Sequence, residues 1–317
     1  MRKITISLWA IVVLVSAAFL VLRTPDSNPA EMQTKYGGVD SKFADTVGGM
    51  SVHYRDQGCR DCPAVVLIHG SNSSLHTFEP LVRILEAKYR LISYDQPGHG
   101  LTGPHPLDDY SAQGMFEAID AVVDATGIER FAIAGHSMGG WIAWRYALEK
   151  PNHLSALVLI SSSGAPRSPH SAKPSPYIGA RIVRNPIGRF LAQHITPRYL
   201  VEQSLFDSTS NDAQVTEKMV DRYWELLRLP GNRRAAGLLA LVDREPEYGQ
   251  QLSELSLPTL VLWGEEDLVV PLDNATTFSD LIPRSDLQVF KGVGHVAMEE
   301  VPDHTAAAID KFLSKAQ

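Results

Sequence analysis

The period of hydrophobic positions changes repeatedly along this chain, and the changes mark its elements. Short apolar runs fall at residues 51–54, 64–69, 90–94, 131–135, 156–161, 259–263 and 287–290. Most are β-branched or aliphatic at successive positions, so both faces are apolar. That is the pattern of strands in a parallel sheet covered on both sides. Between them lie segments with helical spacing, at residues 75–89, 111–126, 138–149, 272–281 and 303–313. Strand then helix, repeated, predicts an α/β fold: a mostly parallel open sheet flanked by helices and joined by right-handed crossovers.

One stretch breaks this rhythm. Between residues 161 and 259 no central strand is apparent, while helical segments broken by Pro and Gly fall at 178–194, 197–206 and 213–229. A structureless loop of that length does not suit a compact domain, so an inserted helical cap is expected at about residues 165–248. Ile178, Ile182, Val183, Phe190 and Leu191 are candidates for its inner stripe, as are Met219, Tyr223, Leu226 and Leu227.

The front of the chain follows a third pattern. Residues 4–22 are 19 positions without a charge, preceded by Arg2 and Lys3 and closed by Arg23. As a helix the run spans about 28 Å, close to the hydrocarbon thickness of a bilayer. Arg2, Lys3 and the amino terminus outweigh Arg23, which Asp26 partly offsets, so the positive-inside rule sends the rest of the chain across. The rival reading is a cleaved signal peptide with Ser16-Ala17-Ala18 as its small-residue site. An anchor is favoured because cleavage there would leave Phe19-Leu20-Val21-Leu22 as an apolar terminus. The expected organisation is an anchor or signal at residues 1–23, a tether at 24–40 and a folded domain at 41–317. Either reading exports the domain. It would face the periplasm from the inner membrane of a Gram-negative cell, or be secreted after signal cleavage.

Composition removes several classes of protein. Of 317 residues 44% are hydrophobic and 21% charged, which excludes wholesale disorder. A net charge of −7 with no basic run argues against a nucleic-acid partner. Two cysteines are too few for a disulfide-dense scaffold or a four-cysteine zinc module. Cys59 and Cys62 flank a turn between two strand-like runs, and in an exported domain they are expected to close a small disulfide loop. No helix follows them, as a thioredoxin-like redox pair would require.

Candidate chemistry sits in three places. Gly135-His136-Ser137-Met138-Gly139 follows an apolar strand and opens a helix. That is the setting in which a serine stands on a sharp strand-to-helix turn with its hydroxyl exposed above the sheet. A serine is a poor nucleophile without a base, and the base needs an orienting carboxylate. His295 stands in a glycine-flanked loop after a strand. Glu265, Glu266 and Asp267 follow the strand that ends in Trp263-Gly264, and spacing alone leaves all three acids open.

On these residues the chain resembles a serine-dependent α/β-hydrolase with a cap, over roughly residues 41–317. The family's Trp-Gly-x-x-Asp-x-x-x-Pro matches Trp263 to Pro271 and implies Asp267 as the triad acid. Its Gly-His-x-x-x-x-Glu-x-Pro matches Gly294 to Pro302 and implies His295 as the base. Leu67-Ile68-His69-Gly70-Ser71 resembles the oxyanion loop, so the Ser71 and Met138 amides are the implied oxyanion donors. His69 is expected to buttress that loop. Asp95-Gln-Pro-Gly98-His99-Gly100 resembles a structural turn of the family, and His99 and His136 are read as surface or satisfied histidines.

The resemblance implies an acyl-enzyme hydrolase of carboxylic esters, apolar or lipid-like, with no metal or organic cofactor. Dehalogenases and epoxide hydrolases of this fold carry an aspartate at the elbow, which Ser137 disfavours. Carbon–carbon bond hydrolases keep the serine but often carry a Trp shortly after the histidine, where this chain has Val296-Ala297-Met298. An acyltransferase would use the same triad, and a non-catalytic binding domain would usually have lost part of it. The implied partners are a small acyl ester and, through the N-terminal helix, a membrane.

Overall fold

The computed structural model describes residues 2–166, 184–242, 244 and 249–316; for residues 2–8, 11 and 15 it describes the backbone only. Eight strands form one sheet: β1 (Lys42–Asp45), β2 (Ser51–Gly58), β3 (Ala64–Ile68), β4 (Arg90–Tyr94), β5 (Phe131–His136), β6 (Leu154–Ile160), β7 (Thr259–Gly264) and β8 (Ser285–Phe290). Their spatial order is β1-β2-β4-β3-β5-β6-β7-β8. β1 and β2 pair antiparallel at one edge, β2 joins β4 antiparallel, and every later pairing is parallel.

Strands β3, β5 and β7 are buried at every position, as their continuous apolar runs require. The alternate side chains of these strands feed two cores. One holds Val66, Ile68, Ile133, Trp144 and Trp263. The other holds Val65, Leu67, Val158, Leu262 and Phe312. Helices α4 (Ala112–Thr126), α5 (Met138–Glu149) and α10 (Asp273–Leu281) contribute to the first core. Helices α3 (Glu79–Leu85) and α12 (Pro302–Ala316) contribute to the second.

The insertion between β6 and β7 is helical among its described residues. It holds α6 (Pro186–His194), α7 (Arg198–Phe206), α8 (Glu217–Leu227) and α9 (Asn232–Leu239). Of its expected inner stripe, Met219 and Leu226 are buried. Phe190 and Leu191 are not: they are 53% and 40% exposed, because Phe190 turns outward to stack on Phe19 at 6.1 Å. Ile178, Ile182 and Val183 lie outside the described residues.

Helix α1 (Arg2–Leu22) forms where the apolar run predicts a helix. Among the described residues no helix is long and apolar enough to cross a membrane. The expected membrane anchor is therefore not supported. The stretch read as a tether is folded. Its helix α2 (Pro29–Met32) is capped by Asn28 and packs Met32 on Leu226 and Leu229 of the insertion. Thr24 N–H donates to His194 O at 2.8 Å, and Ser27 N–H to Arg228 O at 2.9 Å. Sparse local hydrophobicity hid this ordering, which comes from hydrogen bonds to distant helices. Cys59 and Cys62 form the expected disulfide.

Candidate active site

Ser137 sits between β5 and α5 with φ +52° and ψ −116°, a strained conformation for a residue with a Cβ. The surrounding backbone holds it there. Its carbonyl accepts from Gly140 N–H at 3.0 Å and Ser163 N–H at 2.9 Å, and its own N–H donates to Ile160 O at 3.0 Å. The two flanking glycines are required by close approach. A Cβ on Gly135 would stand 2.2 Å from Gly139 O, and one on Gly139 the same distance from Ile68 O. The elbow therefore touches both its own helix and β3. Ser137 is only half-buried, while its neighbours His136 and Met138 are buried.

Asp267 and His295 come together from the ends of β7 and β8, with Oδ2 and Nδ1 2.7 Å apart. The other Asp267 oxygen accepts from Val269 N–H at 2.9 Å and Val270 N–H at 2.8 Å, which fixes the carboxylate in place. Glu265 and Glu266 are exposed, and of the three acids Asp267 is the one in contact with His295. With Nδ1 committed to Asp267, the His295 ring has Nε2 left for proton chemistry. The ring lies 4.6 Å from that of His136, the residue before Ser137.

Ser71 and Met138 meet on the same side of the elbow, with Ser71 Oγ 3.3 Å from Met138 Sδ. Met138 opens α5, where an N–H has no intrahelical acceptor. His69 holds the loop before Ser71. Its Nδ1 bonds Gly70 O at 2.7 Å and its Nε2 accepts from Gln96 N–H at 3.0 Å. Burial pushes its pKa down and keeps it neutral.

Asp95 is fully buried and accepts from Leu75 N–H and Leu101 N–H, both at 2.8 Å, with His53 Nδ1 at 2.7 Å. Burial alone would raise its carboxyl. The hydrogen bond and charge of His53 outweigh burial and hold it well below the usual range. Its role is structural, as the turn motif implies.

His99 and His136 are not surface residues; each is 4% exposed. His99 bonds Pro97 O at 3.1 Å, and His136 Nε2 donates to His295 O at 3.0 Å. Burial pushes His99 down to about 3 and His136 well below its ordinary value, so both stay neutral.

The insertion supplies residues with no sequence signal. Ser208 O accepts from His295 N–H at 2.8 Å. Glu300 ties the histidine loop to the insertion, accepting from Gly294 N–H at 3.0 Å and from Ser210 Oγ at 2.7 Å. Arg244 reaches Met138 Sδ at 3.3 Å and Leu239 O at 3.1 Å, and its Nε–H finds no acceptor among the described residues. Burial pushes this guanidinium down to about 10, still charged at neutral pH. Only a chain folded back over the elbow brings such a residue near Met138.

A parallel sheet, a serine on a strained turn and an acid–histidine pair at the strand ends define the α/β-hydrolase class. The chain belongs to the alpha/beta hydrolase fold family, whose pattern matches residues 63–302. It is 29% identical to the 2-hydroxy-6-oxo-6-phenylhexa-2,4-dienoate hydrolase of Comamonas testosteroni, over 86% of this chain and 96% of that one. It is 26% identical to the monoacylglycerol lipase abhd6-B of Xenopus laevis, over 90% of this chain and 83% of that one. Among solved structures, a membrane phospholipase A superposes with a TM-score of 0.73 at 21% identity, covering 100% of this chain and 99% of the other. That last likeness is one of fold. The chain is a hydrolase of this superfamily.

Proposed function

We propose that this protein hydrolyses carboxylic esters of apolar, lipid-like acyl groups through an acyl-enzyme on Ser137. The observation that carries the reading is the 2.7 Å Asp267–His295 contact, which leaves Nε2 of the ring as the proton acceptor beside the strained serine turn. Ser137 Oγ attacks the acyl carbonyl carbon while His295 takes its proton. His295 then returns the proton to the departing alkoxide as the ester bond breaks. Water, deprotonated by the same ring, attacks the acyl-serine, and the acid leaves with Ser137 restored. Asp267 holds the imidazole tautomer. The Ser71 and Met138 amides are the donors for the developing oxyanion, each typically worth about 3 kcal/mol of barrier.

The insertion acts as a cap over this centre, and its outer face supports an apolar substrate delivered from a lipid surface. Ile187, Phe190, Tyr199 and Leu200 are 50% or more exposed on α6 and α7. Of these Phe190 stacks on Phe19 of α1, a helix on which Leu20, Val21 and Leu22 are likewise exposed. In this reading α1 and the cap face hold the protein at a membrane, with the catalytic domain exported.

A second reading is favoured by Arg244. A half-buried cation against Met138, with no carboxylate partner among the described residues, suits a substrate that carries its own carboxylate. Such a substrate would move the reaction toward carbon–carbon bond cleavage on the same triad.

The test is hydrolysis of p-nitrophenyl esters of graded chain length by the full chain in detergent, beside Ser137→Ala. The expected result is turnover rising with chain length and a loss of about 10³-fold or more in Ser137→Ala. No turnover of any ester by the folded wild type would reject the ester reading. If Arg244→Met then abolished cleavage of a dienoate carboxylate while sparing neutral esters, the second reading would replace it.

A further inference from the structure

A second cavity, of about 420 Å³, opens away from Ser137, Asp267 and His295, none of which lines it. Its walls come from six places in the chain: residues 35–38, β2, His76, the start of α3, residues 214–222 leading into α8, and Glu299 on the short helix α11 (Ala297–Glu300). Four cationic side chains face it, from Lys35, Arg55, Lys218 and Arg222, against two carboxylates, Glu79 and Glu299. Both carboxylates are already engaged. Glu79 takes Arg55 NH1 at 2.8 Å. Glu299 accepts from Thr77 Oγ1 at 2.6 Å, Tyr223 OH at 2.9 Å and Arg222 NH2 at 2.6 Å.

The cations are engaged to different degrees: Arg55 also donates through NH2 to Tyr36 O at 2.7 Å and Gly37 O at 3.0 Å. Lys35 pairs with Glu225 at 2.6 Å, but Lys218 forms no ion pair among the described residues. The Arg55 side chain is 10% exposed and that of Arg222 15% exposed, so both guanidiniums are largely stripped of water. Each retains an Nε–H with no acceptor among the described residues. The first turn of α8, capped by Thr216, also faces the cavity and adds the positive end of a helix. His76 on the same wall is pushed down to about 4, chiefly by burial, and so brings no charge of its own at neutral pH. Lys35, Arg55 and Arg222 are each matched by a carboxylate, so the excess positive charge of the cavity comes from the unpaired Lys218 and the helix N-terminus, set beside two desolvated guanidiniums.

We propose that this cavity binds a phosphate-bearing ligand, held by Lys218, Arg222 and Arg55 and separate from the ester site. The volume admits more than the oxyanion itself, so the class is a small phosphate ester or the phosphate of a lipid headgroup. Lys35 and Lys218 stand at the mouth and would meet the anion first.

The measurement is titration calorimetry on the full chain in detergent, with inorganic phosphate, with glycerol 3-phosphate, and with vesicles of phosphatidylcholine with or without phosphatidic acid. Each is run on wild type, Lys218→Glu and Ser137→Ala. Saturable binding of the soluble phosphates, weakened about tenfold or more in Lys218→Glu and unchanged in Ser137→Ala, is the expected result for a soluble ligand. Binding confined to the phosphatidic acid vesicles, with the same loss in Lys218→Glu, assigns the site to a headgroup. Lys218 is exposed, and a thermal melt checks that its variant folds. Absence of saturable binding in every arm, or affinity unmoved by Lys218→Glu, overturns the proposal.

Discussion

The elbow and the insertion are held by different physics. Around Ser137, backbone approaches backbone so closely that Gly135 and Gly139 have no room for a Cβ, and the neighbouring histidines are buried. The insertion rests instead on separated contacts. Leu205, Met219 and Val220 form one small cluster, while Leu226 and Leu229 close on Met32 in another. Helix α6 has no buried residue at all, and its apolar side chains face outward. One region is a fixed geometry that a single atom would break. The other is a surface whose contacts can be exchanged at modest cost.

The strongest test of that contrast is the same substitution in both places. Gly139→Ala drives a methyl into the carbonyl of Ile68, which ends β3, and into that of His69 just beyond it, and these cannot retreat without disturbing the sheet. The expected outcome is a loss of several kcal/mol of stability or failure to fold, read by thermal melting. Gly237→Ala in α9 meets only Arg189 Cγ at 3.0 Å and Cδ at 3.1 Å, parts of a flexible side chain, and gains helix propensity. Its melting point is expected to change by no more than about 1 kcal/mol in equivalent stability. Equal effects at the two sites would remove the distinction.

This contrast also decides what was legible in the sequence. The strands, the elbow and the Asp267–His295 pair carry local signals because each is fixed by neighbours in the chain or by a strand end. Seven strand positions were readable; β1 was missed because Lys42–Asp45 has one buried residue in four. Phe190 and Leu191 have the spacing of an inner stripe, yet both are exposed and Phe190 stacks on Phe19 of α1. Helical period reports that a face is apolar and not what lies against it. Arg244, Ser208 and the folding of residues 24–37 onto the insertion depend on long-range contacts, which spacing does not encode. Of the two alternatives left open for His99 and His136, surface or satisfied, the second holds: a neutral imidazole can be buried once a ring nitrogen has its hydrogen bond.

Acid sharpens the comparison. His69, His76 and His99 belong to the sheet side, and each has a pKa lowered mainly by burial, to about 4 in His76 and about 3 in His99. A histidine depressed in the folded state from an ordinary value near 6.5 binds its proton more readily when unfolded. Unfolded chains therefore gain protons first, and stability falls as pH drops from about 6.5 toward 4. Asp95, also lowered, extends the loss below its ordinary value near 3.8. In the insertion the described histidine, His194, is half-exposed. Melting curves between pH 7 and pH 4 are expected to lose on the order of a few kcal/mol, with near-ultraviolet signals of the buried Trp144 and Trp263 changing together. A flat melting profile over that range would mean that the buried histidines take up protons without unfolding.

The smallest effect belongs to the outer face of the insertion, and it separates a lipid-facing surface from a merely exposed one. Ile187 and Phe190 bury nothing in the core, so Ile187→Ser with Phe190→Ser is expected to leave the melting temperature within the ordinary range of surface changes, about 0.5 kcal/mol. If that face seats in a bilayer, removing two large apolar side chains costs binding, each typically worth about 2 kcal/mol when fully buried and less at an interface. Hydrolysis of a soluble short-chain ester is then expected to be unchanged, while turnover of a long-chain ester presented in vesicles falls several-fold. Equal turnover of both substrates in the double variant would mean that the apolar residues of α6 do not meet lipid. The exposure of that helix would then be explained by its stacking on Phe19 alone, and substrate would reach Ser137 by a route that this face does not control.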